Sequence, residues 1–405
     1  MEIIFYSFIV LFIAVILASL YYFKKPNTES SIKDLYAEGL DMLVMGKRKI
    51  AYKNFKKIVD HDSSNIKAYL HLGQVLREGG NPKKALDIHQ NLLLRKNMNN
   101  YEKVQLYKNL AQDYYKLDNL EKSIEYCKLI TNIENFNDWA NKELINLFKQ
   151  KNDWKNATNY LKIYLKTHNQ NDDDKIALYK IQEGRILDLN KDFELSRKLF
   201  EESLDLNNNL FICYFFIGNS YASESNEVYN DAITIEENLD GSLEKNEQSQ
   251  KLKLDAENLL TKSIPMWSHF IENMPEYSWM ILPTLKDALQ ALNRYDDIED
   301  ILIRANDKKS NVDLLSHLAD FYANKGDINK ALNTINKALD NNNNSLIAQL
   351  KRLKIISLQN KDNSQSIEID KLISSLIKDE RYIKYKQSYN DKNMHWLFET
   401  NNIEE

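Results

Sequence analysis

The chain has 405 residues, a formal net charge of −5 and a pI of about 5.9, so it lacks the overall basic character of a nucleic-acid-binding protein. Its two cysteines, Cys127 and Cys213, form no CxxC pair, which argues against a disulfide framework and a thiolate zinc site. Glycine and proline are rare, with 9 and 5 residues, as is typical of helices joined by short turns. We therefore predict a helical protein without a nucleic-acid partner.

The first predicted element is a transmembrane anchor over residues 1–25. Ile3–Phe23 carries no charge and as a helix would be roughly 30 Å long, the thickness of a bilayer core. Lys24 and Lys25 follow at once, and the positive-inside rule then places the rest of the chain on the cytoplasmic side. A cleaved signal peptide is the alternative, but the apolar stretch is longer than a usual h-region and no basic side chain precedes it. Residues 26–33 are predicted to form a short linker.

Small residues recur at fixed spacings after the linker. Gly39 is followed by Ala51 and Gly73 by Ala85, with 12 residues between the members of each pair and 34 between the pairs. This period is that of the tetratricopeptide repeat, a helix–turn–helix unit that buries its apolar face by stacking on its neighbours. Six such repeats are predicted over residues 34–222. The predicted fold class is an all-α tetratricopeptide-repeat right-handed α-solenoid, preceded by a single transmembrane helix.

The repeat pattern breaks over residues 223–255, which are polar and acidic. This segment is either a disordered insertion or an extension of the flanking helices. Degenerate and C-terminal repeats are predicted over residues 256–380, with Pro265, Pro275 and Pro283 interrupting helices there. We expect about eight or nine helical pairs in the whole chain.

The first helix of each repeat is expected to line an inner groove that holds a partner. Most residues at the ninth repeat position are amides, which can donate to and accept from an extended peptide backbone of any sequence. Cations at nearby positions would attract acidic segments or phosphates. The predicted partner-binding groove consists of Gln74, Arg77, Lys108, Gln112, Tyr115, Lys116, Lys142, Asn146, Lys149, Arg185 and Asn219. Alternatively, a chain rich in Asn and Lys places such residues on any polar face.

The sequence contains no pattern that indicates catalysis. Its seven histidines show no HExxH or paired-ligand spacing, so each is expected at the surface or in packing. No nucleophile elbow, P-loop or dinucleotide fingerprint occurs. The acidic run Asp172–Asp174 is interpreted as a solvated turn rather than a metal site. We predict no catalytic residue, no cofactor and no metal, and hence a protein that is not an enzyme.

The order of a membrane helix, a repeat array and a short tail resembles the lipopolysaccharide assembly protein B (LapB, also YciM) family. His71–Leu93, HLGQVLREGGNPKKALDIHQNLL, is similar to the second repeat of that family, and Ile264–Leu289 also resembles its members. The resemblance implies an inner-membrane adaptor in a bacterium, with cytoplasmic repeats. Such an adaptor regulates lipopolysaccharide synthesis by linking the deacetylase of lipid A synthesis (LpxC) to the membrane protease FtsH and to lipopolysaccharide assembly proteins. The alternatives are a generic membrane-anchored repeat scaffold for another envelope complex, or an enzyme with an unrecognised site.

The tail, residues 381–405, departs from the family. Its members end in a rubredoxin-like metal knuckle with two CxxC pairs, and that knuckle packs on the repeats. The four ligand positions would fall here near Gln387, Asn390, Phe398 and Asn401, none of which supplies a thiolate. The tail is therefore predicted to be a degenerate knuckle that binds no metal.

Overall fold

The computed structural model describes residues 15–16, 28–237, 243–360, 363–378 and 391–397. From Thr28 onward this part of the chain forms α-helices, two short 3-10 helices and no β-strand. The α-helices are α1 (Thr28–Val44), α2 (Arg48–His61), α3 (Ile66–Glu78), α4 (Pro82–Leu93), α5 (Asn100–Lys116), α6 (Leu120–Ile133), α7 (Asp138–Gln150), α8 (Trp154–Thr167), α9 (Asp173–Leu189), α10 (Phe193–Leu206), α11 (Ile212–Glu237), α12 (Leu243–Asn273), α13 (Leu282–Ala291), α14 (Asp297–Lys308), α15 (Val312–Asn324), α16 (Ile328–Asn341), α17 (Leu346–Gln359) and α18 (Asn363–Lys378). The 3-10 helices are Pro275–Met280 and Lys392–Leu397. The predicted all-helical repeat architecture is confirmed.

Glycines on the first helix of a repeat allow the second helix to approach closely. A Cβ at Gly39 would lie 2.9 Å from Cζ of Phe55, and a Cβ at Gly184 would lie 2.6 Å from Cε1 of Phe200. Both contacts are shorter than packed carbon atoms tolerate, so a larger residue would push the two helices apart. The small residues that recur in the sequence therefore mark positions where the two helices of a repeat pack closely, as at Gly39 and Gly184.

The chain divides within α7 into two compact units, residues 1–147 and 148–405. The N-terminal unit holds α1 to α6 and most of α7, and one part of its core surrounds the fully buried Phe55 and Ile58. The C-terminal unit contains a larger continuous core, in which Trp267 and Phe321 are fully buried.

The two longest helices, α11 and α12, run through most of the segment predicted as a polar insertion over 223–255. The structure thus favours the second alternative, an extension of the flanking helices. Ser225 Oγ donates to the Ala256 carbonyl at 2.7 Å, and Lys253 Nζ lies 2.7 Å from Glu236 Oε1. Such contacts between the helices satisfy polar groups that an apolar core would exclude.

Two predictions of element boundaries differ from the structure. Helix α1 begins at Thr28 and so includes most of the residues predicted to form a linker over 26–33. Pro265 lies inside α12 rather than at its end. Trp267 and other residues of α12 pack in the buried core, and this packing maintains the helix despite the proline. Pro275 and Pro283 lie in the first turn of a helix, where the missing N–H has no partner to lose.

The predicted anchor over residues 1–25 lies outside the described residues, apart from residues 15–16. Within the described ranges, no helix combines the length and the apolar character that a membrane crossing needs. The ligand positions near Gln387, Asn390, Phe398 and Asn401 also lie outside these ranges.

Candidate functional site

Helices α1, α3 and α5 of the N-terminal unit border a polar cleft of about 380 Å³. The cleft is lined by amide, cationic and aromatic side chains and by the Glu102 carboxylate, and its most exposed members are Lys67 and Tyr101. Four of the predicted groove residues line it, namely Gln74, Arg77, Lys108 and Gln112.

Arg77 is 9% exposed, and its guanidinium binds side chains of the next repeat. Nη1 donates to Asp113 Oδ1 at 2.8 Å, and Nη2 donates to Gln112 Oε1 at 2.7 Å. Both nitrogens also donate to Asn109 Oδ1 at 3.2 Å. Charge-assisted hydrogen bonds of this kind are stronger than neutral ones. Arg77 therefore fixes the orientation of two amides in the cleft, while its own donors are engaged inside the protein.

His89 completes this network from α4, and both His89 and Asp113 are fully buried. Its Nδ1 bonds the second carboxylate oxygen of Asp113, and its Nε2 lies 3.2 Å from the Leu70 carbonyl oxygen. Gly73 makes room for the ring, because a Cβ there would lie 2.3 Å from His89 Nε2. Sequence reasoning treated His89 as an ordinary lone histidine. The available signal was its spacing after Gly73, which equals that of Phe55 after Gly39.

The remaining predicted residues of the cleft also have defined neighbours. Gln74 Nε2 donates to Glu78 Oε1 at 2.9 Å, and Lys108 Nζ lies 4.8 Å from the ring centre of Trp139. Tyr115 and Lys116 line a second cleft of about 350 Å³, together with Gln74, Arg77, Gln112 and Glu143. Burial raises the pKa of Glu143, although the nearby Lys108 cation opposes the shift.

Two predicted residues lie further along α7. Lys142 Nζ is 3.0 Å from Asp138 Oδ2, and both side chains are about half exposed. Asn146 is half-buried. Neither residue is among the described side chains that line the two clefts. The N-terminal unit thus brings together six of the predicted groove residues and leaves these two aside.

The last three predicted residues belong to the C-terminal unit. Lys149 is 5% exposed, and its Nζ lies 5.3 Å from the ring centre of Tyr179. Asn219 Oδ1 accepts from Trp267 Nε1 at 3.0 Å. Arg185 and Asn219 line a cleft of about 410 Å³. These contacts give Lys149 and Asn219 a role in packing this unit.

The C-terminal segment Asp391–Leu397 docks on α9 and α11 of the same unit. Gln182 Nε2 donates to the Trp396 carbonyl at 2.6 Å, and the Ile212 amide donates to Asn393 Oδ1 at 3.1 Å. The Arg185 guanidinium lies 4.6 Å from the ring centre of Trp396, and burial lowers the pKa of Arg185. The predicted groove residue Arg185 therefore packs against the chain's own tail.

We expect Trp396→Ala to weaken this docking by about 3 kcal/mol, since the indole is 8% exposed and its removal leaves a cavity. Hydrogen exchange of a peptide covering residues 391–397 should become markedly faster. Asn393→Ala, which removes one hydrogen bond to the Ile212 amide, should accelerate exchange less. Equal exchange in wild type and Trp396→Ala would contradict the docking.

The described residues contain no group of three or more His, Cys, Asp and Glu side chains arranged to hold a metal ion. Both cysteines are fully buried. Burial raises the pKa of Cys127 to about 12 and also raises that of Cys213, so both thiols stay protonated and pack as small apolar groups.

Comparison with known proteins bears on the repeats and the family resemblance. The family model of the tetratricopeptide repeat matches residues 312–345, which hold α15 and α16. The chain is similar to lipopolysaccharide assembly protein B of Haemophilus influenzae, with 25% identity over 60% of this chain and 52% of that protein. It is also similar to the protein of the same name from Escherichia coli K12, with 20% identity over 33% of this chain and 34% of that protein. The chain thus spans about half the length, or less, of the relatives that it matches.

Many solved structures also match the chain, among them two tetratricopeptide repeat proteins. A tetratricopeptide repeat protein from Parabacteroides merdae matches 81% of this chain and 99% of its own, with 13% identity and a TM-score of 0.33. YrrB, described as a TPR protein with an unusual peptide-binding site, matches 45% of this chain and 93% of its own, with 14% identity and a TM-score of 0.33. The resemblance predicted from His71–Leu93 and the domain order is confirmed by the curated relatives. The chain thus contains a tetratricopeptide repeat at residues 312–345 and is similar to lipopolysaccharide assembly protein B.

Proposed function

We propose that the chain is a scaffold of the bacterial inner membrane that takes part in lipopolysaccharide assembly. The sequence similarity to lipopolysaccharide assembly protein B supports this role, and the tetratricopeptide repeats support a scaffold rather than an enzyme. Residues 1–25 would anchor the chain, with the repeats on the cytoplasmic side. Confining partners to a thin layer at the membrane raises their effective concentration.

The proposed binding site is the cleft bordered by α1, α3 and α5, and its pre-oriented amides are the observation that carries the proposal. Because Arg77 fixes Asn109 and Gln112, a partner backbone meets oriented polar groups and little ordering entropy is lost on binding. Lys67 and Lys108 outnumber the Glu102 carboxylate at this cleft and favour an acidic segment. The proposed partners are LpxC, FtsH and lipopolysaccharide assembly proteins.

The test replaces cleft residues that lie outside the hydrogen-bond network of Arg77, His89 and Asp113. Lys67→Ala/Tyr101→Ala/Lys108→Ala removes the two cations and an aromatic ring that is 61% exposed. We expect the variant to recover at least tenfold less LpxC and FtsH from detergent-solubilised membranes, and LpxC to persist longer in cells, as expected for the loss of several interface side chains.

The matched control, Lys162→Ala/Tyr229→Ala/Lys166→Ala, removes two exposed cations and an exposed tyrosine of the C-terminal unit. It should leave recovery and LpxC lifetime unchanged. If the cleft variant captures both proteins as wild type does, the cleft is not their site. If LpxC levels also stay constant when the gene is silenced, the chain is instead a scaffold for another envelope complex.

A further inference from the structure

The turn between α1 and α2 exposes apolar side chains beside a run of cations. Val44 is 89% exposed, Met45 is 63% exposed and Ile50 is 42% exposed. Residues 44–57, which we call the basic tip, contain six exposed cations, namely Lys47, Arg48, Lys49, Lys53, Lys56 and Lys57. No acidic residue occurs in residues 44–59.

Few of these charges are neutralised within the protein. Lys56 Nζ lies 2.7 Å from Asp60 Oδ1, and Arg48 Nε lies 3.7 Å from Glu78 Oε2. Both pairs are largely exposed, so water screens them strongly. The basic tip therefore presents a net positive surface interleaved with apolar side chains.

The basic tip differs from the later repeats in the type of residue at the N-cap of the second helix. Asn or Asp stands there in the later repeats, and Asn119, Asp153 and Asp327 accept a backbone N–H of the first turn, whereas Asn81 and Asp192 make no such bond. In α2 the N-cap is Lys47, which makes no side-chain cap bond. Cations in the first turn also oppose the helix dipole. The start of α2 thus lacks an N-capping side chain and carries charges that disfavour the helix. Such a turn is not optimised for stability, which indicates that its residues serve a function other than folding.

We propose that the basic tip docks on a bilayer surface that carries anionic lipid headgroups. Clustered Lys and Arg are attracted to such a surface, and exposed apolar side chains enter the boundary between headgroups and acyl chains. Val44, Met45 and Ile50 line none of the clefts described above. A bilayer receives such side chains without a shaped pocket.

The position of the basic tip in the chain agrees with this occupant. Helix α1 begins at Thr28, five residues after the apolar stretch ends at Phe23, and its 17 residues extend about 25 Å. The turn reaches the bilayer only if α1 lies along the surface. Docking would therefore set the orientation of the first repeat on the membrane. This inference rests on the anchor proposed above.

The test uses the full chain with Met45→Cys, labelled with a nitroxide and reconstituted into nanodiscs. Cys127 and Cys213 are fully buried and stay unlabelled. One set of discs contains phosphatidylcholine alone, and the other contains about one quarter phosphatidylglycerol. In the anionic discs we expect the label to collide with a water-soluble nickel reagent at a roughly threefold lower rate than in the phosphatidylcholine discs. Equal collision in both discs would overturn the proposal.

Two controls separate docking from other effects. Lys47→Asp/Lys49→Glu/Lys53→Glu should abolish the protection and still fold, because Asp is a good N-cap and acidic residues suit the start of α2. A label at Leu189, which is 78% exposed at the C-terminal end of α9, should show no lipid dependence. Protection that survives the charge reversal, or that appears only with several chains per disc, would contradict binding to lipid.

The same discs test the anchor separately. If the chain co-elutes with phosphatidylcholine discs but the label at position 45 is unprotected in anionic discs, docking fails and the anchor stands. If the chain co-elutes with anionic discs alone and the label is protected, the anchor fails and docking stands.

Discussion

Asp113→Ala is expected to destabilise the N-terminal unit by about 3–5 kcal/mol. The carboxylate accepts from the Arg77 guanidinium at 2.8 Å and also bonds the His89 ring, and both Asp113 and His89 are fully buried. Its removal leaves the buried His89 ring without its acceptor and takes the charged partner from the Arg77 guanidinium, which then keeps only the amide oxygens of Asn109 and Gln112. Denaturant unfolding should show the loss, and hydrogen exchange should locate it in α3 to α6.

A matched control and a rescue sharpen this expectation. Asp87→Ala removes an exposed carboxylate two residues from His89 and should change stability by less than about 0.5 kcal/mol. Arg77→Leu/His89→Phe/Asp113→Leu should regain most of the loss, because well-packed apolar residues can replace a buried ionic group. Phenylalanine already opposes glycine in this way at Phe55. If Asp113→Ala costs no more than Asp87→Ala, the network does not support the fold.

The sequence predicts the helical repeats because small residues must recur wherever two helices touch, and Gly39 and Gly184 mark such contacts. A repeat position also indicates which face of a helix a side chain occupies. It does not show that a neighbouring repeat will bind that side chain, as Asp113 binds Arg77. That outcome depends on the reach and charge of residues more than 30 positions apart.

Docking of the C-terminal segment is also a contact that the repeat pattern does not predict, and its residues are further apart in the sequence. Gln182 and Trp396 are 214 residues apart, and no periodic pattern connects them. The sequence predicts a degenerate knuckle in the tail, but the surface that receives Trp396 forms only when α9 and α11 pack. Contacts of this kind require the tertiary structure.

A second buried polar cluster lies between α15 and α17 of the C-terminal unit. Lys351 is 3% exposed, and its Nζ lies 2.9 Å from His317 Nδ1. Asp320 receives Lys354 Nζ at 2.8 Å on one carboxylate oxygen and Lys286 Nζ at 3.5 Å on the other. Three lysines thus surround one buried carboxylate and one buried imidazole.

The environment changes the protonation of this cluster. Burial lowers the pKa of Lys351 from its usual 10.5 to about 7, although Asp320 opposes the shift. Burial and the neighbouring lysines hold the pKa of His317 well below its usual range. Burial would raise the pKa of Asp320, but the three lysines outweigh it and hold that pKa well below its usual range. Near neutral pH, Lys351 is therefore partly uncharged and donates to a neutral His317.

Lys351→Met is expected to stabilise the C-terminal unit by roughly 3 kcal/mol at pH 6. The lowered pKa corresponds to roughly 5 kcal/mol of penalty on the charged lysine in the fold, and the loss of the hydrogen bond to His317 offsets part of the gain. Between pH 7 and 10.5 the unfolded chain binds the Lys351 proton more tightly than the folded chain does. Wild-type stability therefore rises with pH in this window, and the advantage of the variant should disappear near pH 10.

Lys354→Met is the matched control, since it makes the same substitution three residues away and should have the opposite sign. The pKa of Lys354 is raised, because the Asp320 and Asp370 carboxylates outweigh the effect of burial, so its charge stabilises the fold wherever these carboxylates are ionised and the pH is below about 10.5. Its loss should destabilise the unit both at pH 6 and at pH 9. Denaturant unfolding across this range, with hydrogen exchange over residues 312–359, measures both variants. A Lys351→Met effect that is independent of pH would show that the buried amine carries no charge penalty.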